Sequence, residues 1–471
     1  MARRWPGLLP IAALAGCNLA PPYERPTPPV PPAFDAQPGG TLATEIAWQN
    51  FFGDPRLRFY IAAALANNRD LAASTARIAQ ARAQFRIQNA ARLPQIDASA
   101  SAGRSRSATR DAAGNPISVT SDQFGAQVAV SAFELDFWGR VANLSEAARR
   151  QYLATGEARR AFRLSLISNV AATYYAIRSG SEGVALADRT LATRRETLEI
   201  ARLRLDAGVT STIDYDQANA LVTQAEIQRA ELVRVTEQLS NQLLVLIGGP
   251  AEAAPPPGRP IADAGQFEAL DPGLPSALLA NRPDILQAEH QLRAANANIG
   301  AARAALFPSI SLTGSGGVAS TALSSLFDSP SRVWSFGLGG LLSIFDWGRR
   351  RAQVDLSRAQ RDELVALYQR TVQNAFREVA DGLVGRQRLA EQIVAQEQAV
   401  RVQGRLAETS KLRYDNGVSP YLEVLDAQRG LFAAEQALLQ LRAAALQNGV
   451  SLYAALGGGN EPPPAPAPGG E

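Results

Sequence analysis

Glu423 and Asp426 stand three residues apart, a spacing that puts both side chains on one helix face, and paired carboxylates can in principle do acid and base work. Nothing else in the sequence assembles around them. The chain holds one histidine, His290, and one cysteine, Cys17, which excludes a disulfide framework, a Cys/His zinc site and any triad that needs a second histidine. His290 lies in the polar stretch Gln287 to Arg293 and reads as a solvated helix-face residue. Gly314-Ser315-Gly316-Gly317 is glycine-rich, but it follows a strand and precedes no phosphate-binding lysine, so it reads as a loop or strand kink. No catalytic residue, metal or cofactor is expected.

Composition points the same way. Among 471 residues, 47 Lys and Arg face 44 Asp and Glu, a net charge of +3 with no clustered basic stripe, which sets nucleic acid aside. At the N-terminus Arg3 and Arg4 precede the apolar run Leu8 to Ala15, the layout of a secretory signal and too short for a spanning helix. Leu14-Ala15-Gly16-Cys17 resembles the bacterial lipobox, in which the cysteine is acylated after the signal, here residues 1–16, is removed. Two or more acyl chains give stable anchoring. Asn18 follows, where an Asp commonly retains lipoproteins in the inner membrane; on that resemblance, the outer membrane is expected.

The chain is an internal duplication with a period of about 210 residues. Phe133-Glu134-Leu135-Asp136-Phe137-Trp138-Gly139-Arg140 is answered by Ser343-Ile344-Phe345-Asp346-Trp347-Gly348-Arg349, and Arg204 to Val209 by Arg413 to Val418. The interval from Trp138 to Gly208 is 70 residues, as is that from Trp347 to Gly417. Leu93-Pro94-Gln95-Ile96 is likewise answered by Phe307-Pro308-Ser309-Ile310. The expected organisation is a Pro-rich segment 17–60, then repeat 1 over 61–247 with a strand pair 94–137, a long helix 141–207 and a helix 213–247. A linker 248–280 follows, then repeat 2 over 281–456 with a strand pair 308–346, a long helix 348–416 and a helix 419–456, and a disordered tail 457–471.

Val170, Ile177, Val184, Leu191, Leu198 and Leu205 recur every seventh residue, a coiled-coil seam. The last helix carries two such rows, one through Leu425 and Phe432, the other through Val424 and Leu431. A helix over 141–207 would be roughly 100 Å long at about 1.5 Å per residue. The strands alternate: Val128 and Val130 oppose Gln127 and Ser131, and Trp334, Phe336, Leu338, Leu342 and Ile344 oppose Ser335, Gly337, Gly339 and Ser343. An apolar face opposite a small polar one suits a membrane barrel wall with a wet lumen. Four strands cannot close a barrel and open edges are not tolerated in lipid, so several chains must contribute. Arg104 and Arg106 would then sit beyond the apolar band.

Trp48 with Phe52-Gly53-Asp54-Pro55, Ala64 to Asn68 with Asp70-Leu71, the two Trp-Gly-Arg turns, Leu274-Pro275-Ser276 with Arg282-Pro283-Asp284, and the two Gly-Val tips together resemble the TolC-like outer-membrane factor family, in its lipoprotein branch serving resistance-nodulation-division pumps. The resemblance covers nearly the whole mature chain. It implies a mainly α protein with membrane β: a homotrimer whose 12-stranded outer-membrane barrel, four strands per chain, continues into a long coiled-coil helical barrel. The segment 17–60, the linker and the C-terminal segment would form an equatorial belt, and the chain would be lipid-anchored at Cys17 with a periplasmic helical extension. The implied activity is a passive exit channel that receives small molecules from a periplasmic adaptor and an inner-membrane transporter, and not an enzyme. Pro420, two residues after Val418, departs from the family pattern at the second tip.

The resemblance also assigns candidate sites. The tips, with Arg204, Gly208 and Val209 and then Arg413, Gly417 and Val418, would dock the adaptor; otherwise they are ordinary turns. Glu423 and Asp426 would ring the closed periplasmic aperture with negative charge, with Arg204 and Arg413 as bridging partners. Asp214 and Asp216 follow the first tip at related positions and read either as aperture residues or as solvated charge at a helix start. Two alternatives keep parts of this picture: a duct for secreted polypeptide, and a periplasmic coiled-coil lipoprotein scaffold without a pore.

Overall fold

The structure is a computed structural model that describes residues 18–34, 41–250, 254–264, 270–271, 273 and 275–459. The expected signal, the Cys17 anchor and the tail beyond 459 lie outside the described residues. In the first repeat a short strand β1 (Thr41–Leu42) and helix α1 (Trp48–Phe51) lead into α2 (Pro55–Asn67), α3 (Arg69–Ala90), strands β2 (Ile96–Arg110) and β3 (Pro116–Glu134), and helices α4 (Arg140–Asp206) and α5 (Thr212–Leu246). The second repeat follows α6 (Ile261–Ala264), β4 (Leu270–Asp271) and α7 (Pro275–Asn281). It runs α8 (Pro283–Ala304), β5 (Ser309–Ser320), β6 (Arg332–Leu341), α9 (Arg349–Asp415) and α10 (Tyr421–Ala455). The long helices α4 and α9 each have 67 residues and α5 and α10 each have 35, so the two copies match element for element. Among the described residues no helix is long and apolar enough to cross a membrane.

Two compact units are present. One comprises 78–155 and 288–368 with the N-terminal segment up to Thr27, and its centre is the sheet β2-β3-β5-β6, antiparallel throughout. Its register fixes the two faces. Ala98 pairs with Val128, Leu312 with Leu338 and Gly316 with Trp334, so small and large apolar side chains share one face. Ser99 with Gln127, Ser105 with Ser121 and Ser315 with Ser335 occupy the other, where the last two pairs are hydroxyl contacts of 3.2 and 2.8 Å. Arg104 continues the apolar face and chelates Asp122 across the hairpin, through Oδ1 at 2.5 Å and Oδ2 at 2.7 Å.

Three features differ from the expectation. The glycine run 314–317 is neither loop nor kink but the middle of β5, and a Cβ on Gly317 would stand 2.2 Å from the Ala126 carbonyl, so glycine here lets two strands approach. The β3 pairing shifts register between Val130 and Phe133, with Ala132 at φ 58, so a bulge interrupts the alternation just past Val130 and Ser131. The last strand ends at Leu341, leaving Leu342 and Ile344 outside it.

Residues 18–25 lie along α8 as an extended strap. Arg25 and Arg293 both pair with buried Glu289, at 2.7 and 2.6 Å, Arg293 covers the Tyr23 ring, and Asn296 donates to the Pro21 carbonyl at 2.7 Å. Gly300 makes room for it, since a Cβ there would come within 2.8 Å of Ala20 backbone atoms. Gly300→Leu places a good helix former in α8 and is expected to lift the strap, seen as faster chymotryptic cleavage after Tyr23. His290 shares this region and is half-buried, correcting the solvated reading: burial first, then Arg150 and Arg293, hold its pKa below the ordinary value.

The second unit holds the remaining helical parts, and its core explains the sequence motifs. Asp54, 2 % exposed, caps α2 through Arg56 N at 2.8 Å, and it also accepts from the Tyr174 hydroxyl at 2.7 Å and Arg259 N at 3.0 Å. Asn68 donates to the Leu246 carbonyl at 2.9 Å; its counterpart Arg282 donates to the Ala455 carbonyl at 2.9 Å. Each repeat thus ties the end of its 35-residue helix to the start of its 22-residue one. The heptad row from Val170 to Leu205 is buried or half-buried at every position.

Candidate functional site

Both long helices end in the same way. At Gly208 and Gly417 φ is +71°, the left-handed conformation that glycine adopts without penalty. Gly208 N donates to Leu205 O at 2.9 Å and Val209 N to Arg204 O at 2.9 Å. Gly417 N donates to Tyr414 O at 2.9 Å and Val418 N to Arg413 O at 2.8 Å. These paired bonds are Schellman caps, which satisfy carbonyls that a helix end leaves open. Past each cap a valine projects into solvent, Val209 at 72 % and Val418 at 67 % exposure, and Ile213 and Leu422 are exposed beside them.

The two tips are held as one body. Ala201 of α4, Ala218 and Leu221 of α5, and Tyr421, Val424 and Leu425 of α10 form a buried cluster joined by Leu198 and Tyr414. The Tyr414 and Tyr421 rings lie 5.0 Å apart, and burial pushes the Tyr421 phenol up to about 12. Among the described residues Arg204 pairs with no carboxylate: its guanidinium lies over the Tyr414 ring at 4.5 Å, joining the end of α4 to the end of α9.

The first turns of α5 and α10 have diverged. In α5, Ser211 and Asp214 make a reciprocal capping box, Ser211 Oγ accepting from Asp214 N at 3.3 Å and Asp214 accepting from Ser211 N at 3.4 Å. Thr210 Oγ1 adds a bond to Asp214 at 2.6 Å, and these hydrogen bonds hold its pKa below the ordinary value, Thr210 first. In α10 the cap position is Pro420, which has no side-chain acceptor, so Glu423, the counterpart of Asp214, has no cap to serve. It reaches Arg413 at 3.6 Å instead, closing α9 onto α10, and Asp426 lies 3.4 Å from Arg429. Asp216 is exposed on α5. The structure thus brings Glu423 and Arg413 together, and places Asp214 in a cap.

Removing the cap has a defined cost. Ser211→Ala is expected to destabilise α5 by about 1 kcal/mol, readable as a lowered Tm. Because the folded Asp214 pKa is depressed, its contribution is complete above the unfolded value near pH 4 and fades as pH falls through the folded value. The wild type should therefore lose its advantage over Asp214→Asn only in acid.

Sequence reasoning named both tips but missed Tyr414, Tyr421 and Arg429. The register between the copies carried the signal for the capping difference: Ser211 and Asp214 align with Pro420 and Glu423 when Gly208 is set on Gly417.

The profile of the family described as outer membrane efflux protein matches residues 60–249 and 274–458, once per repeat. The toluene efflux pump outer membrane protein TtgC of Pseudomonas putida is 40% identical over 95% of this chain and 93% of its own length. The cation efflux system protein CusC of Escherichia coli is 39% identical over 96% of this chain and 99% of its own. Among solved structures, the open state of the Neisseria gonorrhoeae MtrE outer membrane channel superposes with a TM-score of 0.86 at 36% identity, covering 94% of this chain and 99% of that one.

Proposed function

The chain belongs to the outer membrane efflux protein family and is the trimeric outer-membrane exit channel of an efflux pump, and we propose that it works with a periplasmic adaptor at its helix tips and an inner-membrane transporter of the resistance-nodulation-division class. The observation that carries the docking assignment is the repeated tip: two identically capped turns, each offering an exposed valine, held together by one buried cluster. A trimer would present six such tips, three of each kind. A rigid apolar knob is suited to a groove on a partner, and its duplication gives one adaptor fold two similar seats.

The second tip is the proposed gate. Pro420 releases Glu423 to pair with Arg413, while Asp426 adds a second carboxylate one turn on. A single exposed pair contributes only about 0–1 kcal/mol, so shutting the aperture requires all three copies together. Asp214 serves as a cap and Asp216 contributes charge near the first tip. Cys17 is the proposed lipid attachment in the outer membrane. Cargo choice belongs to the transporter: relatives similar to this chain to the same degree carry names of toluene and cation systems, which favours small solutes over polypeptide.

Docking is tested by efflux from cells that lack their own exit channel and express this chain with a matched adaptor and transporter. Val209→Asp with Val418→Asp should abolish resistance while the trimer stays in the outer membrane. Undiminished efflux would remove the tips from the docking surface.

A further inference from the structure

Trp347 is 97 % exposed, the most exposed large apolar side chain among the described residues, and Leu93, which opens the first strand pair, is 71 % exposed. Their counterparts are not exposed alone. Trp138 answers Trp347 and Phe307-Pro308 answers Leu93-Pro94, and inside one chain these counterparts are joined. The Trp138 indole donates to the Pro308 carbonyl at 2.8 Å and its ring lies 4.7 Å from the Phe307 ring, stacked at 24°. Just above, Leu135 N donates to Ile310 O at 2.8 Å, and β3 pairs with β5. This is the junction from repeat 1 to repeat 2. The reverse junction, from repeat 2 to repeat 1, has both halves, and among the described residues they do not meet: Trp347 tilts against the neighbouring Phe345 ring at 6.4 Å and stays exposed, as does Leu93.

It cannot close within the chain. The sheet order β2-β3-β5-β6 puts β6 and β2 on opposite edges, with two strands between them. A free edge in lipid leaves backbone groups unsatisfied, so the reverse junction must be met by another copy. We infer that the Trp347 turn of each protomer seats on the Leu93-Pro94 corner of the next, with β6 pairing against the neighbour's β2 so that Leu338 stands opposite Ala102. The inference rests on the trimeric reading above and adds its contacts and register.

The register follows from the hairpins. Ile96 pairs with Val130 and its counterpart Ile310 with Gly340, so Gly340 answers Val130. At the internal junction Val128 pairs with Gly316, Ala126 with Val318 and Phe124 with Ser320. Carried across by the same equivalence, Leu338 meets Ala102, Phe336 meets Arg104 and Trp334 meets Arg106. All six lie on the apolar face, so the transfer keeps the pleat in phase. It also places two exposed aromatic rings beside two guanidinium groups, where the apolar band ends, an arrangement stabilised by the ring quadrupole. The turns differ in one respect: repeat 2 reaches its glycine with one residue fewer, and Trp347 takes φ 56 to do so.

Cysteine pairs test it in the full-length protein in native membranes. Leu338→Cys with Ala102→Cys should give covalent dimers and trimers on non-reducing gels, at least five-fold more than Leu338→Cys with Ala100→Cys or with Arg104→Cys. Each single variant serves as the blank for Cys17. Trp347→Ala should lower the temperature at which the trimer dissociates, and Trp347→Phe should fall between it and wild type, keeping the ring and losing the N–H. A maximum at position 100 or 104, or an unchanged dissociation temperature in Trp347→Ala, overturns the register or the latch while leaving the trimer intact. If no interchain pair links while the internal pair Val128→Cys with Gly316→Cys does, the trimeric reading fails as well.

Discussion

Leu338→Arg is expected to keep the protein from assembling in the outer membrane, whereas Ser99→Arg is expected to assemble and alter conduction. Both positions are exposed in one chain, and charge or size alone does not separate them. The sheet register does. Leu338 shares its face with Leu312, Val128 and Trp334, the side that meets lipid when three chains close, whereas Ser99 pairs with Gln127 on the opposite face. An arginine facing lipid costs about 2–4 kcal/mol near mid-membrane depth, and the trimer would bear that cost three times. A lumenal arginine stays in water and costs little. The check is the heat-resistant trimer recovered in the outer-membrane fraction; equal recovery of the two variants would mean that both faces meet the same solvent.

Arg282→Leu is expected to be the most damaging single change in the second unit. Arg282, 8 % exposed, makes four bonds through its guanidinium: to Asp284 from Nε at 3.0 Å and Nη2 at 2.7 Å, to Glu378 at 2.9 Å, and to the Ala455 carbonyl at 2.9 Å. It ties the start of α8 to α9 and to the last turn of α10. Losing one partner of a buried ion pair costs about 3–5 kcal/mol. Here both carboxylates keep about a third or more of their exposure, so the lower end, about 3 kcal/mol, is expected. Arg282→Lys keeps the charge but cannot reproduce a planar fork, and should recover only part of the loss. Thermal unfolding of the detergent-extracted trimer distinguishes all three.

The duplication was legible because selection on helix length and turn chemistry leaves marks at fixed offsets. Two 67-residue helices, two Gly-Val caps and two Trp-Gly-Arg turns repeat in order, and their register alone aligns Asp214 with Glu423. Heptad rows reported the seams for the same reason, since a side chain every seventh residue stays on one stripe. Features that depend on contacts distant in sequence stayed hidden. Gly317 looks like a turn residue until β3 is seen to pass within reach of its missing Cβ. His290 sits among polar neighbours in sequence, yet it is half-buried where arginines of α4 and α8 approach it. The strap over Gly300 could not be inferred from an extended Pro-rich segment, because a strap and a free linker have the same composition. At the tips, glycine and arginine were readable by type; the Arg204–Tyr414 contact and the loss of capping at Pro420 needed the packing of α9 and α10.

Single-channel recording on purified trimers in planar bilayers tests the central claim, a water-filled duct narrowed by the second tip, most directly. The wild type should conduct weakly, prefer cations and be blocked by multivalent cations added at the tip side. Glu423→Gln with Asp426→Asn should conduct more, as Arg413 loses its partner, and lose both the preference and the block. A double variant with wild-type conductance and unchanged cation block would contradict the account, and so would trimers that never conduct.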